Sequence, residues 1–318
     1  MSQFSIKDLE NLSGIKAHTI RIWEQRYGIL EPKRTKTNIR YYSDDDLKFL
    51  LNVGLLNKSG FKISKIARMS NTDIQHQVIL ITENNFEYET QVAALNVAML
   101  ELNESMFERI LSSNIIRMGF EDTMMKVIFP FLYQVGILWQ TDVICPAHEH
   151  FITNLIRQKL IVAIDGQYGK EEFSSKRFLL FLPEQETHEI GMLFINYLLR
   201  SRGNRVIYLG QNVPFGDLEQ VNMTFKPDYM VTSFTGHPQS ESPSDYLTKL
   251  TRSFPQCKVI ISTHAFSDVP EEKPDNLITI DGYENMIRFF DHQMDTDKLK
   301  QNVYDGEVGQ EVVESRIF

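Results

Sequence analysis

The sequence lacks the features that mark disulfide-stapled, secreted or membrane-spanning proteins. Its 318 residues include two cysteines, Cys145 and Cys257, which are too few for a disulfide framework and are typical of a reducing cytoplasm. No run of roughly eighteen apolar residues is present, so we expect no contact with a membrane. The first residues lack the charged and then apolar pattern of a signal peptide, and we therefore expect a cytoplasmic protein.

A linker rich in glycine and proline is also missing after the first 75 residues. The chain is long enough for roughly two or three domains. Its hydrophobic content of 42% is that of ordinary globular cores. We therefore expect folded domains over most of the chain.

The net charge of −9 is unevenly distributed. Residues 1–75 hold 13 Lys and Arg against 8 Asp and Glu, whereas the rest of the chain holds 20 against 34. Because the N-terminal region is basic and the rest of the chain is acidic, we expect only the N-terminal region to bind polyanions such as nucleic acid.

Two short helical patterns lie near the N-terminus, on either side of a tight turn. Residues 4–12 place apolar side chains at helical spacing, and Gly14 follows as the turn. A second helix is predicted over residues 16–25, with Ile20 and Trp23 facing inward. This is the helix-turn-helix pattern, whose second helix enters the major groove of DNA.

A basic loop at residues 32–38 follows and is closed by Arg40, Tyr41 and Tyr42. We interpret it as a hairpin wing that lays cations along phosphates. The alternative is a solvated turn. Residues 43–46, a serine followed by three aspartates, are typical of a helix start.

The N-terminal pattern resembles the winged-helix DNA-binding region of the MerR family. The resemblance is carried by Ile6, Leu9, Gly14, Ile15, Thr19, Ile20, Arg21, Trp23, Glu24, Arg26, Arg40, Tyr41, Tyr42, Ser43, Asp46 and Leu47. It implies a two-fold symmetric pair bound to double-stranded promoter DNA. The implied DNA-binding residues are His18, Thr19, Arg21, Trp23, Arg34, Asn38, Arg40 and Tyr41, with Tyr41 packing the wing.

The remainder of the chain divides into a helical part and an alternating part. Helices are predicted at 73–81, 87–100, 104–119, 123–138 and 146–164, which fits a four-helix bundle. Strands are predicted at 177–182, 205–209, 228–234, 257–262 and 277–280, with helices at 187–202, 215–224, 242–254, 267–272 and 283–291. This alternation predicts a flavodoxin-like, doubly wound (Rossmann-like) parallel sheet of order 2-1-3-4-5.

The fold class is therefore multidomain, α and α/β. We predict a winged-helix domain at 1–75, a helical-bundle domain at 76–166, an α/β domain at 175–292 and a frayed tail at 293–318.

The loop after the first strand of the α/β domain holds Glu186, His188 and Gly191, at the sheet edge where such folds bind ligands. It resembles the base-off, His-on cobalamin-binding motif Asp/Glu-x-His-x-x-Gly. The resemblance implies His188 as a cobalt ligand, a carboxylate that orients its ring, and a glycine that leaves room for a planar ring. The alternative is a solvated histidine beside two glutamates.

The helical part contains Trp139, followed ten residues later by Glu149 and His150. This spacing resembles the Trp-x9-Glu-His signature of light-responsive, cobalamin-dependent repressors of the CarH and LitR type. It implies that all three residues contact the upper, adenosyl side of the cofactor. Two alternatives stay open: Trp139 as bundle core, and the histidines near it as a helix start or a zinc site, although His148 and His150 do not share a helix face.

Other positions extend the cobalamin resemblance or depart from it. Ser233 matches the serine expected to bind the displaced dimethylbenzimidazole tail, but Phe234 and Thr235 depart from the pattern. Ser262 and Thr263, the other implied tail contacts, replace a pair of glycines that lets the backbone approach the tail. Gln140 stands where some light-responsive members carry a second histidine ligand.

These observations predict a non-enzymatic transcription regulator, most simply a repressor, that binds adenosylcobalamin and forms a homo-oligomer, dimer or tetramer, on DNA. In the family, light breaks the cobalt–carbon bond and the oligomer falls apart. One alternative is a cobalamin-independent regulator of the MerR family. Another is a corrinoid carrier subunit of a methyltransferase or mutase, although the chain shows no catalytic domain and no catalytic acid–base pair.

Overall fold

The computed structural model describes residues 4–35, 37–84, 87–140, 144–169, 176–235, 242–262, 270 and 273–291. The chain divides into two compact units, Met1–Ile152 and Thr153–Phe318. The helix predicted at 267–272, apart from Pro270, and the predicted tail lie outside the described residues. Within the described ranges, no helix combines the length and apolar character needed to cross a membrane.

The first unit begins with the predicted winged helix-turn-helix. Its elements are α1 (Ile6–Ser13), α2 (Ala17–Tyr27), β1 (Lys33–Arg34), β2 (Arg40–Tyr41), α3 (Asp44–Lys58) and α4 (Ile63–Ile66). Ser5 and Ser43 start α1 and α3 with capping boxes that satisfy the first backbone amides. Gly14 ends α1 at a φ of 69°, a left-handed conformation that glycine adopts without strain.

A run of helices follows without a break. They are α5 (Asn71–Asn84), α6 (Tyr88–Leu100), α7 (Glu104–Met118), α8 (Phe120–Thr123), a π-helical turn (Met124–Ile128), α9 (Phe129–Gln140) and α10 (Pro146–Asp165). α6 is buried on almost every side, and it packs against α7 and α9 as the centre of the bundle. α5 runs through the boundary predicted at residue 75 and packs on α3, while α10 continues from the first unit into the second.

The second unit contains the predicted α/β alternation. Its further elements are β3 (Arg177–Leu180), α11 (Ile190–Ser201), β4 (Arg205–Tyr208), α12 (Phe215–Phe225), β5 (Tyr229–Thr232), α13 (Pro243–Ser253), β6 (Lys258–Ser262), β7 (Leu277–Ile280) and α14 (Gly282–Asp291). The five strands pair in parallel in the order β4-β3-β5-β6-β7. The predicted order 2-1-3-4-5 is confirmed.

The centre of this sheet is apolar on both faces. Residues 178–182, which include most of β3, are fully buried, and Tyr229–Thr232 of β5 are buried as well. Such continuous apolar runs are typical of parallel strands covered by helices on both sides. Because β3 lies between β4 and β5, the loop that leaves β3 emerges at the carboxyl edge of the sheet, flanked by the loops after those two strands.

Candidate cofactor loop and nucleic-acid surface

The loop after β3 is anchored to the loop after β4. The Leu182 amide donates to the Gly210 carbonyl at 3.0 Å, and the Val213 amide donates to the Leu182 carbonyl at 2.9 Å. Further along, the Gln185 amide donates to Oδ1 of Asn212 at 2.8 Å. These bonds fix the backbone just before the predicted cofactor residues.

Glu186 and His188 form a directly bonded pair. Oε1 of Glu186 lies 2.7 Å from Nδ1 of His188 and also accepts the His188 amide at 2.9 Å. The carboxylate is buried, whereas the imidazole is half exposed. This contact fixes Nδ1 as the nitrogen that faces the carboxylate, and it turns Nε2 away from it.

Thr235 completes this cluster from the loop after the neighbouring strand β5. Its amide and its hydroxyl donate to Oε2 of Glu186 at 2.7 and 2.8 Å, and the hydroxyl oxygen lies 2.7 Å from Nδ1 of His188. Thr235 departs from the cobalamin pattern, and the sequence alone suggested no role for it. The predicted strand order was the available signal, because it brings the end of β5 beside the end of β3.

The charge of Glu186 follows from these contacts. Burial acts to raise the pKa of this carboxyl, but hydrogen bonds from His188 and Thr235 outweigh burial and lower the pKa to about 2. Glu186 is therefore ionised at neutral pH and orients the imidazole as an acceptor. A histidine held in this way is the arrangement that metal sites in proteins use.

Gly191 has a different neighbour from the one expected. A Cβ atom built on Gly191 would lie 2.1 Å from the hydroxyl oxygen of Tyr283 in α14. The space beside this glycine is therefore filled by a side chain of the same unit. The predicted reason for a glycine here, room for a planar ring, is corrected to close packing of α11 against α14.

The predicted tail-binding residues lie at the same edge of the sheet. Ser233 directly follows β5 and is partly buried, and Ser262 is the last residue of β6. Thr263 lies outside the described residues. Since parallel strands bring their carboxyl ends together, Ser233 and Ser262 share the edge at which His188 stands.

The predicted upper-face residues belong to α9 and α10. Trp139 is 41% exposed, which argues against the alternative that it is bundle core. Nδ1 of His150 lies 2.8 Å from Oε2 of Glu149. Among the residues that the structure describes, no three His, Cys, Asp or Glu side chains are grouped to hold a metal ion, as the zinc alternative would require. The side chain of Gln140 is outside the described part.

The predicted nucleic-acid surface is largely exposed. His18 and Arg21 are exposed on α2, and Arg34 and Asn38 are exposed in the wing, where Nη1 of Arg34 donates to Oδ1 of Asn38 at 2.8 Å. The wing is an antiparallel hairpin that pairs Arg34 with Arg40. Three further predicted contacts are partly buried: Thr19, Arg40 and Tyr41.

Trp23 does not fit the role of a DNA contact. Its side chain is 7% exposed and lies in the core of the helix-turn-helix. We therefore remove it from the contact surface, because a base or phosphate cannot reach a side chain that the fold covers. Beside this core, the buried hydroxyl of Tyr42 donates to Glu24, and Nε of Arg40 lies 3.9 Å from the same carboxylate.

Comparison with known proteins gives two family matches. Residues 4–72 match a model described as MerR HTH family regulatory protein, and residues 92–163 match a model described as B12 binding domain. The second match covers α6 to α10 and includes Trp139, Glu149 and His150, and it ends before the parallel sheet.

Two of the curated relatives cover most of the chain, and a third covers about a quarter of its length. The HTH-type transcriptional repressor CarH of Myxococcus xanthus is 26% identical over 80% of this chain and 86% of its own length. The repressor CarA of the same organism is 26% identical over 79% of this chain and 82% of its own length. The regulator MlrA of Escherichia coli is 29% identical over 24% of this chain and 32% of its own length.

Solved structures give weaker similarities. The monomethylamine corrinoid protein of Methanosarcina barkeri covers 64% of this chain and 96% of its own, at 13% identity and a TM-score of 0.49. At that TM-score the similarity does not by itself establish a common fold. The sequence comparisons are firmer: the chain is homologous to the transcriptional repressors CarH and CarA, and it combines a MerR-type helix-turn-helix with a B12-binding domain.

Proposed function

We propose that this DNA-binding transcription regulator is a repressor whose assembly on promoter DNA responds to adenosylcobalamin and light. The observation that carries the proposal is the pair formed by Glu186 and His188 at the carboxyl edge of the sheet. The B12-binding match and the homology to CarH and CarA support it from outside this site.

The donor set of the loop fits a corrinoid. The His188 imidazole is half exposed, and an ionised, buried carboxylate holds Nδ1, so Nε2 is the nitrogen that would coordinate the cobalt ion. When bound, adenosylcobalamin supplies a cobalt ion that accepts such a ligand and a cobalt–carbon bond that light can cleave. Glu186 and Thr235 hold the ring in place throughout.

The other predicted residues take supporting roles. Trp139, Glu149 and His150 would contact the adenosyl side of a bound cofactor, and the exposed indole of Trp139 would supply an apolar surface there. We assign binding of the nucleotide tail to Ser233, Ser262 and Thr263.

DNA binding is assigned to the exposed cations and polar groups of the winged helix. α2 presents His18, Thr19 and Arg21 to the major groove, and the wing presents Arg34, Asn38, Arg40 and Tyr41 to the backbone. A homo-oligomer, a dimer or a tetramer, places two such surfaces on half-sites of a two-fold symmetric operator. A ligand that binds only the assembled form stabilises that form by mass action.

The test is a dark titration of the purified full chain with adenosylcobalamin. We expect a visible spectrum of bound corrinoid, a larger mass by light scattering, and tighter binding to duplexes selected from a random pool. Illumination should reverse the last two effects, and His188→Ala should weaken uptake. Arg21→Ala should weaken DNA binding without changing uptake, because it lies on the other functional surface. Absence of corrinoid uptake by the wild-type chain would contradict the sensor proposal.

A second candidate is a regulator that no longer needs cobalamin. It is favoured by Ser262 at the end of β6, where the family pattern has a glycine that lets the backbone approach the nucleotide tail. Specific DNA binding combined with no uptake in the titration above would select this candidate.

A further inference from the structure

The residue that follows His188 is tied to helix α10. One carboxylate oxygen of Glu189 accepts Nε of Arg157 in α10, and the other accepts the hydroxyl of Tyr208 at 2.9 Å, at the end of β4. The Glu189 side chain is only 8% exposed, whereas that of Arg157 is half exposed. All three residues lie in the unit Thr153–Phe318.

This buried carboxylate needs both of its partners. Arg157 is half exposed, but its removal would leave the buried carboxylate of Glu189 without its cationic partner, which costs stability. Burial and the adjacent Glu189 raise the pKa of Tyr208, so its hydroxyl keeps its proton and stays a donor. If the loop that carries His188 moved away from α10, the Glu189 carboxylate would lose its bond to Arg157.

Glu189 also controls how α11 begins. It is the residue before α11, and its backbone carbonyl accepts the Leu193 amide at 2.8 Å. The side chain of Glu189 thus joins three elements: the start of α11, the end of β4 and α10. Glu189 directly follows His188 in the chain, so the residue that carries the imidazole is next to this junction.

Helix α10 extends the junction toward the other predicted cofactor residues. His150 precedes Arg157 by seven residues in the same helix, which places the two side chains on the same face, about two turns apart. Both residues lie within the range matched by the B12 binding domain model. If α10 slid along its axis or rotated about it, Arg157 would move with it and its bond to Glu189 would be changed.

We infer that the Arg157–Glu189 ion pair is a positioning device that couples ligation at His188 to the placement of α10. The inference rests on the proposed cobalamin-dependent function. Arg157 and Glu189 act through His188 and α10 and do not contact the cofactor. Loss of the pair uncouples the state of the site from the DNA-binding response.

The test compares Arg157→Met with Lys159→Met in the full chain. Both changes remove one positive charge from α10, but Arg157 is the residue bonded to Glu189. The readouts are the axial nitrogen signal in the electron paramagnetic resonance spectrum of the cobalt(II) form and the gain in DNA affinity on adding adenosylcobalamin in the dark. Circular dichroism checks that each variant is folded.

For Arg157→Met we expect the axial nitrogen signal to persist and the cofactor-dependent gain in DNA affinity to fall by roughly tenfold. Lys159→Met should match the wild type in both readouts. In the cofactor-free protein, urea unfolding of Arg157→Met, Glu189→Gln and the double variant should be non-additive, since the two residues act as one pair.

Two results for Arg157→Met would overturn the inference while leaving the proposed function intact. One is a gain in DNA affinity, on adding adenosylcobalamin, that equals the gain of the wild type. The other is loss of the axial nitrogen, which would make Arg157 part of ligation rather than a link. Failure of the wild-type chain to bind adenosylcobalamin would overturn the proposed function and this inference together.

Discussion

The space beside Gly191 is occupied by the hydroxyl of Tyr283. A Cβ atom on Gly191 would lie 2.1 Å from the Tyr283 hydroxyl oxygen, but 3.3 Å from the ring carbon that carries it. The contact with the oxygen would require atoms to move, whereas the contact with the ring carbon is tight but can be tolerated. The collision thus depends on one oxygen atom.

This relationship predicts a rescue experiment. Gly191→Ala should lower the free energy of unfolding by about 1–3 kcal/mol, because the added methyl group overpacks the contact between α11 and α14. Adding Tyr283→Phe should recover much of that loss, since it deletes the colliding oxygen. Urea unfolding of the single and double variants provides the measurement.

Gly216 in α12 is the matched control for this rescue. No atom lies within 4 Å of the position where its Cβ would stand, so Gly216→Ala should be neutral or mildly stabilising, as expected for alanine in a helix. If Gly191→Ala were as harmless as Gly216→Ala, the close packing assigned to Gly191 would be wrong.

The pKa of Glu186 predicts how stability depends on pH. This pKa lies at about 2 in the folded protein, against an ordinary value of 4.5. Because folding lowers the pKa, the carboxylate stabilises the fold fully above pH 4.5, and this contribution is lost as the pH falls through about 2. Its size is on the order of 3 kcal/mol.

The measurement is the difference in unfolding free energy between the wild type and Glu186→Gln as a function of pH. We expect a constant difference above pH 4.5 that shrinks on acidification toward about 2. Glu219→Gln, at an exposed position of α12, controls for removal of a carboxylate, and its difference from the wild type should be small. A Glu186→Gln difference that did not change with pH would contradict the assigned hydrogen bonds.

The two cysteines should differ in reactivity. Burial, with a smaller contribution from the charge of Asp228, raises the pKa of Cys257 to about 12, so little thiolate is present and the sulfur is covered. Cys145 is exposed at the start of α10. Ellman's reagent should therefore titrate one thiol in the native chain and a second after denaturation. Cys145→Ser should abolish the native reaction, and equal rates for both thiols would rule out this assignment.

Apolar pattern and strand alternation were enough to predict the sheet, because β3 and β5 are continuous apolar runs and parallel crossovers restrict the strand order. The resemblance to the cobalamin-binding motif predicted that Glu186 would orient His188, which lies two residues later in the chain. The individual contacts between distant segments were not predicted, although the predicted strand order brought the ends of β3 and β5 together. Thr235 reaches Glu186 from the loop after β5, and Arg157 reaches Glu189 from a helix 32 residues earlier.

The role of Trp23 was misjudged for a related reason. The helical pattern already placed it facing inward, but its position in a family motif suggested a DNA contact. Its 7% exposure shows that the motif tryptophan serves the core of the helix-turn-helix. Motif membership alone does not separate packing residues from contact residues.

Two polar contacts join α3 of the winged helix to the helical region, and they should differ in strength. Buried Asn52 donates to Oε1 of Glu101 and to the Lys48 carbonyl, both at 3.1 Å. Lys58 pairs with Glu89 at the surface, with both side chains more than half exposed. We expect Asn52→Ala to lower the free energy of unfolding by about 1–3 kcal/mol, as it removes buried hydrogen bonds, and Lys58→Ala by less than about 1 kcal/mol. Urea unfolding measures both, and a larger loss for Lys58→Ala would show that the surface pair dominates this junction.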